Sequence, residues 1–177
     1  MSESALPQPD PDLEVWLKSL RERAFRLLAR REHSRKELGD KLLTPPNSPT
    51  RHRLPSAPAE MSRAQQEAEV ETLLDKLEAN NLLSDQRFAD NLTRQYLRKG
   101  KGLLALQQAY QQHQLATEIT RPLLDWLAPL WEEQAWRVRS KRFGEAPPAD
   151  AREAAKMQRF LASRGFTPEQ IRQAVFD

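Results

Sequence analysis

Apolar residues recur at helical spacing in block after block of this chain. Leu13, Leu17, Leu20, Ala24, Leu27 and Leu28 follow one another at three- and four-residue steps and predict a first helix with one apolar stripe. Ser34-Arg35-Lys36-Glu37 has the form of a capping box, in which a serine hydroxyl and a glutamate three residues on satisfy each other's backbone N–H groups. It predicts a short second helix with Leu38 and Leu42 inward. Val70, Leu73, Leu74 and Leu77 predict a third, ending at Asn80-Asn81, where asparagine tolerates a left-handed cap. Phe88, Ala89, Leu92 and Tyr96 mark one side of a fourth, capped by Ser84 and stopped by Gly100 and Gly102. Further helices are predicted from about Leu103, over Thr117 to Leu127, Trp131 to Phe143, Ala151 to Arg164, and Pro168 to Phe176. Pro122 removes an N–H inside the Thr117 helix and predicts a late start or a kink there. No alternating β-branched run and no Asn-Gly or Asp-Gly hairpin occurs, so no strand is predicted.

The pattern also repeats. Leu115 to Leu124 lies over Phe166 to Val175, with Glu, Arg and the apolar ends in register. Each copy is preceded by a basic helix ending in glycine, RQYLRKG and RSKRFG. A period of about 50 residues with three helices per unit signals tandem helical modules. The expected organisation is a flexible tail over 1–12, a first three-helix unit over 13–80, a second over 81–127 and a third over 128–177. Residues 44–62, with five prolines and no periodicity, form a predicted insertion in the first unit. Ser163-Arg164-Gly165-Phe166-Thr167-Pro168-Glu169-Gln170 is the best-formed joint. Gly165 can end one helix at positive φ, Phe166 packs back, Thr167 caps the next helix and Gln170 closes the box.

Composition narrows the function. Of 177 residues only 38% are hydrophobic and 30% are charged, which suits thin modules better than one deep core. There is no cysteine, which excludes disulfides and thiolate chemistry. The proline-rich, acidic N-terminus lacks the cationic start and apolar stretch of a signal peptide, and no apolar run reaches membrane-spanning length. A cytoplasmic location is expected. Net charge is +3, which permits an anionic partner without demanding one.

Lys99-Gly100-Lys101-Gly102 invites comparison with a phosphate-cradling loop. That loop needs a glycine five residues before Gly100, where Gln95 stands, and a hydroxyl after Lys101, where Gly102 stands. It also needs a preceding strand. The segment therefore reads as a helix end. His33, His52 and His113 are far apart and are expected to be solvated, which is too few for a metal site. No Ser/His/Asp pattern has local support, and Glu132 and Glu133 point apart on a helix. No catalytic group, metal or cofactor is expected.

What remains is recurrent positive charge. Arg94 to Lys101 holds four cations and no acid, and Trp136 to Phe143 repeats that tally. At 100° per residue Arg87, Arg94 and Arg98 share a face away from Tyr96. Trp136 and Phe143 are expected to pack inside. The candidate contact residues are Arg87, Arg94, Arg98, Lys99 and Lys101, with Arg139, Lys141 and Arg142 on the later basic helix.

Four stretches in order, LLARREHSRKELGDKL, LLSDQRFADNLTRQYLRKGKG, RVRSKRFGE and MQRFLASRGFTPEQIRQAV, resemble the RecX family of bacterial regulators of the RecA recombinase. The likeness runs from about Phe25 to the end. It implies an all-α fold of tandem three-helix units in an elongated, curved molecule, expected to be a monomer. It implies no enzymatic activity. The expected partners are RecA and its filament on single-stranded DNA, with DNA itself bound weakly or through RecA. The implied effect is inhibition of RecA's ATP hydrolysis, strand exchange and filament growth, and so modulation of recombination, DNA repair and the SOS response. Gln114 and Asn81 depart from the family pattern, standing where glycine is common. The alternative is a helical nucleic-acid-binding module that acts without RecA.

Overall fold

A computed structural model describes residues 10–44 and 55–176. Most of the expected tail and the middle of the Pro-rich insertion lie outside the described residues. Among the described residues the fold is all-α, with no strand. It divides into two compact units, the first ending at Ser84 and the second beginning at Asp85.

The first unit contains α1 (Pro11–Leu28), α2 (Arg35–Leu43) and α3 (Arg63–Ala79). α1 begins two residues earlier than its apolar stripe suggests. The Asp10 carboxylate accepts from the N–H of Asp12, and Pro11 occupies the first turn, where its missing N–H costs nothing. The end of the insertion also belongs to the fold. Ala57 and Met61 pack against the core, and Ser62 with Gln65 forms a complete capping box for α3. The core is built from Trp16, Leu20 and Ala24 of α1, Leu38 and Leu42 of α2, and Val70, Leu74 and Leu77 of α3.

Several cations of this unit are paired with carboxylates of the same fold. Arg35 donates to Glu71 at 2.5 Å, Asp75 at 2.7 Å and Glu78 at 2.6 Å, clamping the start of α2 to one face of α3. Ser34 accepts from the N–H of Glu37, as expected, while the Glu37 carboxylate is held by Arg31 and Lys41. Burial opposes ionisation of Glu37, but those two cations outweigh it and hold its pKa at about 2.

His33 corrects the expectation of a solvated histidine, for it is 2% exposed. Its Nδ1–H donates to the Arg31 carbonyl at 3.0 Å, which leaves Nε2 to accept from the Lys41 ammonium at 3.2 Å. The ring must therefore be neutral. Burial, with repulsion from Arg31 and Lys41, lowers its pKa against the opposing backbone bond and the charge of Glu37. A base with a lowered folded pKa binds more protons when unfolded, so stability is complete above about pH 6.5 and falls as pH drops through that value. Thermal unfolding of the full chain between pH 7.5 and 5.5 should show a falling midpoint, with a slope limited to about 1.4 kcal/mol per pH unit. His33→Asn should be less stable throughout and should lose that slope. An unchanged slope would assign it to other groups.

The second unit holds α4 (Asp85–Arg98), α5 (Leu103–Gln112), α6 (Thr117–Leu127), a 3-10 turn (Ala128–Leu130), α7 (Trp131–Phe143), α8 (Ala151–Ser163) and α9 (Pro168–Phe176). One continuous core joins Phe88 and Leu92 of α4 and Tyr110 of α5 to Trp131, Met157, Phe166 and Val175. α6 starts at Thr117 and runs through Pro122, so the proline does not delay it. Pro122 is exposed, where solvent can reach the backbone it disturbs.

The helix ends obey one rule. After α3, α4, α5 and α8 comes a residue at positive φ: Asn81 at 56°, Gly100 at 65°, Gln114 at 51° and Gly165 at 87°. The following N–H reaches back five residues each time, as in Leu115 to Tyr110 at 3.1 Å and Phe166 to Leu161 at 3.3 Å. The departures at positions 81 and 114 thus fall on left-handed backbone. Asparagine tolerates that conformation, whereas a glutamine Cβ crowds its own carbonyl. Gln114→Gly should raise stability by about 1 kcal/mol, read as a higher urea midpoint at unchanged slope. Asn81→Gly should change it less.

Candidate functional site

The joint after α4 answers the question raised by Lys99-Gly100-Lys101-Gly102. Its backbone is occupied by protein. The N–H of Gly102 donates to the Arg164 carbonyl and that of Leu104 to the Gly165 carbonyl, each at 2.8 Å. A Cβ on Gly102 would sit 2.5 Å from the carbonyl carbon and oxygen of Gly165. The two glycine joints of the repeat are therefore in backbone contact, and Gly102 is needed for that approach.

This contact brings the basic end of α4 against α7 and α8. Between them lies an open cleft of about 640 Å³, lined by Leu97, Arg98, Lys99, Gly100, Gln134, Arg137, Val138, Lys141, Arg142, Phe160 and Arg164. Six of these lining residues are cationic and none is acidic, so the cleft carries one sign of charge. Among the described residues none of the six makes an ion pair. Arg98, Lys99, Lys141 and Arg142 are exposed. Arg137 donates to the Gln134 side-chain oxygen, and Gln134 in turn donates to the Leu97 carbonyl at 2.8 Å. Arg164 donates to the Lys99 carbonyl at 2.8 Å, and its guanidinium lies 5.1 Å from the Phe160 ring centre.

Of the candidate contact residues, the cleft gathers Arg98, Lys99, Lys141 and Arg142. Arg87, Arg94 and Lys101 lie outside its lining. Arg94 is exposed, while Arg87 and Lys101 are half-buried. Arg139 does not belong with them. It is 4% exposed, and its Nη1 donates to the carbonyls of Gly144 at 3.1 Å and Glu145 at 3.0 Å. It ties down the chain after α7, a task for which its position opposite the cleft face suits it. Arg139→Met should lower stability by about 1–2 kcal/mol in urea denaturation, because it removes the two bonds that hold the chain after α7.

Two cleft residues, Arg137 and Arg164, were not selected from the sequence. For Arg137 a signal existed. Gln134, Arg137, Val138, Lys141 and Arg142 fall at i, i+3, i+4, i+7 and i+8, one face of a helix, whereas Arg139 is about 200° from Arg137. Arg164 reaches the cleft only through the meeting of the two joints. Trp136 also departs from expectation, being 44% exposed, while Phe143 packs edge-on against Phe160 at 5.4 Å. No group of three or more His, Asp or Glu that could hold a metal occurs among the described residues. No described helix is long and apolar enough to cross a membrane.

The family model for the third three-helix domain of RecX matches residues 132–175, which span nearly all of α7 to α9. Regulatory protein RecX from Acidithiobacillus ferrooxidans is 43% identical over 153 residues, covering 86% of this chain and 85% of that protein. The chain belongs to the RecX family. Regulatory protein RecX from Chromohalobacter salexigens is 36% identical over 155 residues, covering 88% of this chain and 90% of its own. The crystal structure of RecX from Lactobacillus salivarius superposes with a TM-score of 0.66 over 92% of this chain and 96% of that one, at 16% identity. That likeness extends to the fold. As a RecX family member the chain has a regulatory role.

Proposed function

We propose that this RecX family member is a non-enzymatic regulator that binds RecA, chiefly in its filament on single-stranded DNA. It inhibits RecA's ATP hydrolysis, strand exchange and filament growth, and so modulates DNA repair and recombination. The observation that carries the reading is the cleft between α4, α7 and α8, lined by six cations and no acid, with no ion pair to them among the described residues. Clustered like charges weaken a fold by a few tenths of a kcal/mol per pair, roughly, so such a cluster gains its use from an anionic partner. Arg31, Arg35 and Lys41 of the first unit, by contrast, are held by carboxylates of the same fold. The family resemblance supplies the identity of the partner.

The test is RecA ATP hydrolysis on single-stranded DNA while this protein is titrated below the RecA concentration. Substoichiometric loss supports action at filament ends, and loss only near equal concentrations supports binding along the filament. No effect, combined with tight and steeply salt-dependent binding to bare DNA, would hand the function to a nucleic-acid module acting alone.

A further inference from the structure

We infer that the cleft takes an acidic, extended peptide segment that carries at least one apolar side chain, rather than a nucleic-acid strand; this deepens the proposed function and rests on the cleft being the contact surface. Three observations lead there. The cations are interleaved with half-buried apolar side chains, Leu97 and Val138, which phosphates would leave uncovered. A leucine or phenylalanine of a bound segment would cover them, gaining about 25 cal/mol for each Å² of apolar surface removed from water. The aromatic lining residue is also already engaged. The Phe160 ring has the Arg164 guanidinium 5.1 Å from its centre and Phe143 edge-on at 5.4 Å. Single-stranded nucleic acid is held without sequence preference by stacking bases on open ring faces, and here a base gains that stacking only by displacing Arg164. Finally, four of the six cations are arginines, whose planar forks hold carboxylates, as they hold phosphates, two bonds at a time, so they supply the anion contact while the apolar side chains make the choice of ligand. Arg98 and Arg142 are exposed, with no ion pair among the described residues, so they can meet such a segment without breaking one.

The test uses the full chain and fluorescence anisotropy with a labelled octapeptide, Asp-Glu-Leu-Glu-Asp-Phe-Glu-Asp. Comparison ligands are the same peptide with alanine for leucine and phenylalanine, and an oligothymidylate of equal charge. The expected result is saturable binding that weakens about fivefold or more for the alanine peptide, in line with loss of two apolar contacts. The oligothymidylate should fail to displace the octapeptide at equal concentration. R98E/R142E should weaken octapeptide binding about tenfold or more, the equivalent of two lost charge-assisted contacts. Displacement by oligothymidylate at equal or lower concentration would overturn the inference in favour of a phosphate site. Equal affinity for the alanine peptide would overturn the apolar requirement. Absence of saturable binding, or binding unaffected by R98E/R142E, would remove the peptide from the cleft.

The same variant separates this inference from the reading it rests on. If R98E/R142E loses the octapeptide yet still inhibits RecA, the peptide site stands and the cleft's part in RecA regulation falls. If wild-type protein ignores the octapeptide but R98E/R142E no longer inhibits RecA, the cleft keeps its part and the peptide chemistry is wrong.

Discussion

Gly102→Ser is expected to destabilise the second unit by about 3 kcal/mol or more, although serine would supply the hydroxyl that a phosphate loop wants after Lys101. The backbone at Gly102 is ordinary, with φ of −93°, so no conformational strain enters. The cost is close approach. An added Cβ falls 2.5 Å from Gly165 backbone atoms and 2.5 Å from the Phe166 nitrogen, and backbone cannot swing aside as a side-chain tip can. Relief requires the two joints to part. That movement breaks the bonds from Gly102 to Arg164 and from Leu104 to Gly165, and it opens the core beside Phe166, which is 2% exposed. Gly144→Ala is the informative control. Gly144 sits at φ of 89° and ψ of 176°, a region essentially confined to glycine, with nothing within 4 Å of the added carbon, so only backbone strain of about 1–3 kcal/mol applies. Urea unfolding followed by far-ultraviolet circular dichroism measures both. Equal losses would show that the joints do not depend on contact at Gly102.

The second large effect is functional. R98E/R142E should raise the concentration needed to inhibit RecA ATP hydrolysis by at least about tenfold, while helical content and urea midpoint stay within the range of ordinary surface changes. Both side chains are exposed, and neither has an ion pair to lose among the described residues, so the fold has little stake in their sign. The cleft has a large stake, because the exchange replaces two of six positive charges with negative ones. Arg94→Glu tests the placement. Arg94 shares the exposed face of α4 with Arg98 but lies outside the cleft lining, so its reversal should cost far less. An Arg94 effect as large as that of the pair would move the contact surface along α4. Inhibition that survives R98E/R142E would remove the cleft from the mechanism.

The sequence by itself determined the local structure. Apolar spacing placed the helices, and the short strings at their ends named the caps. Thr167 and Gln170 bond each other's backbone N–H groups as their order predicts, and Gly165 takes positive φ. These features are readable because their energetics lie within a few residues of one another. The repeat and the basic helix ends were legible for the same reason.

Tertiary structure decided which charges are available to a partner. Arg139 and Arg142 are three residues apart in one basic run, yet one is buried on carbonyls and the other lines a cleft. His33 has no neighbour in sequence that announces its burial, which depends on α2 closing over it with Lys41. Arg164 joins Arg98 only because two glycine joints, more than sixty residues apart in sequence, meet backbone to backbone. Periodicity states that a residue lies on a helix face; what covers that face depends on chain that is distant in sequence, and a single sequence does not encode that pairing locally.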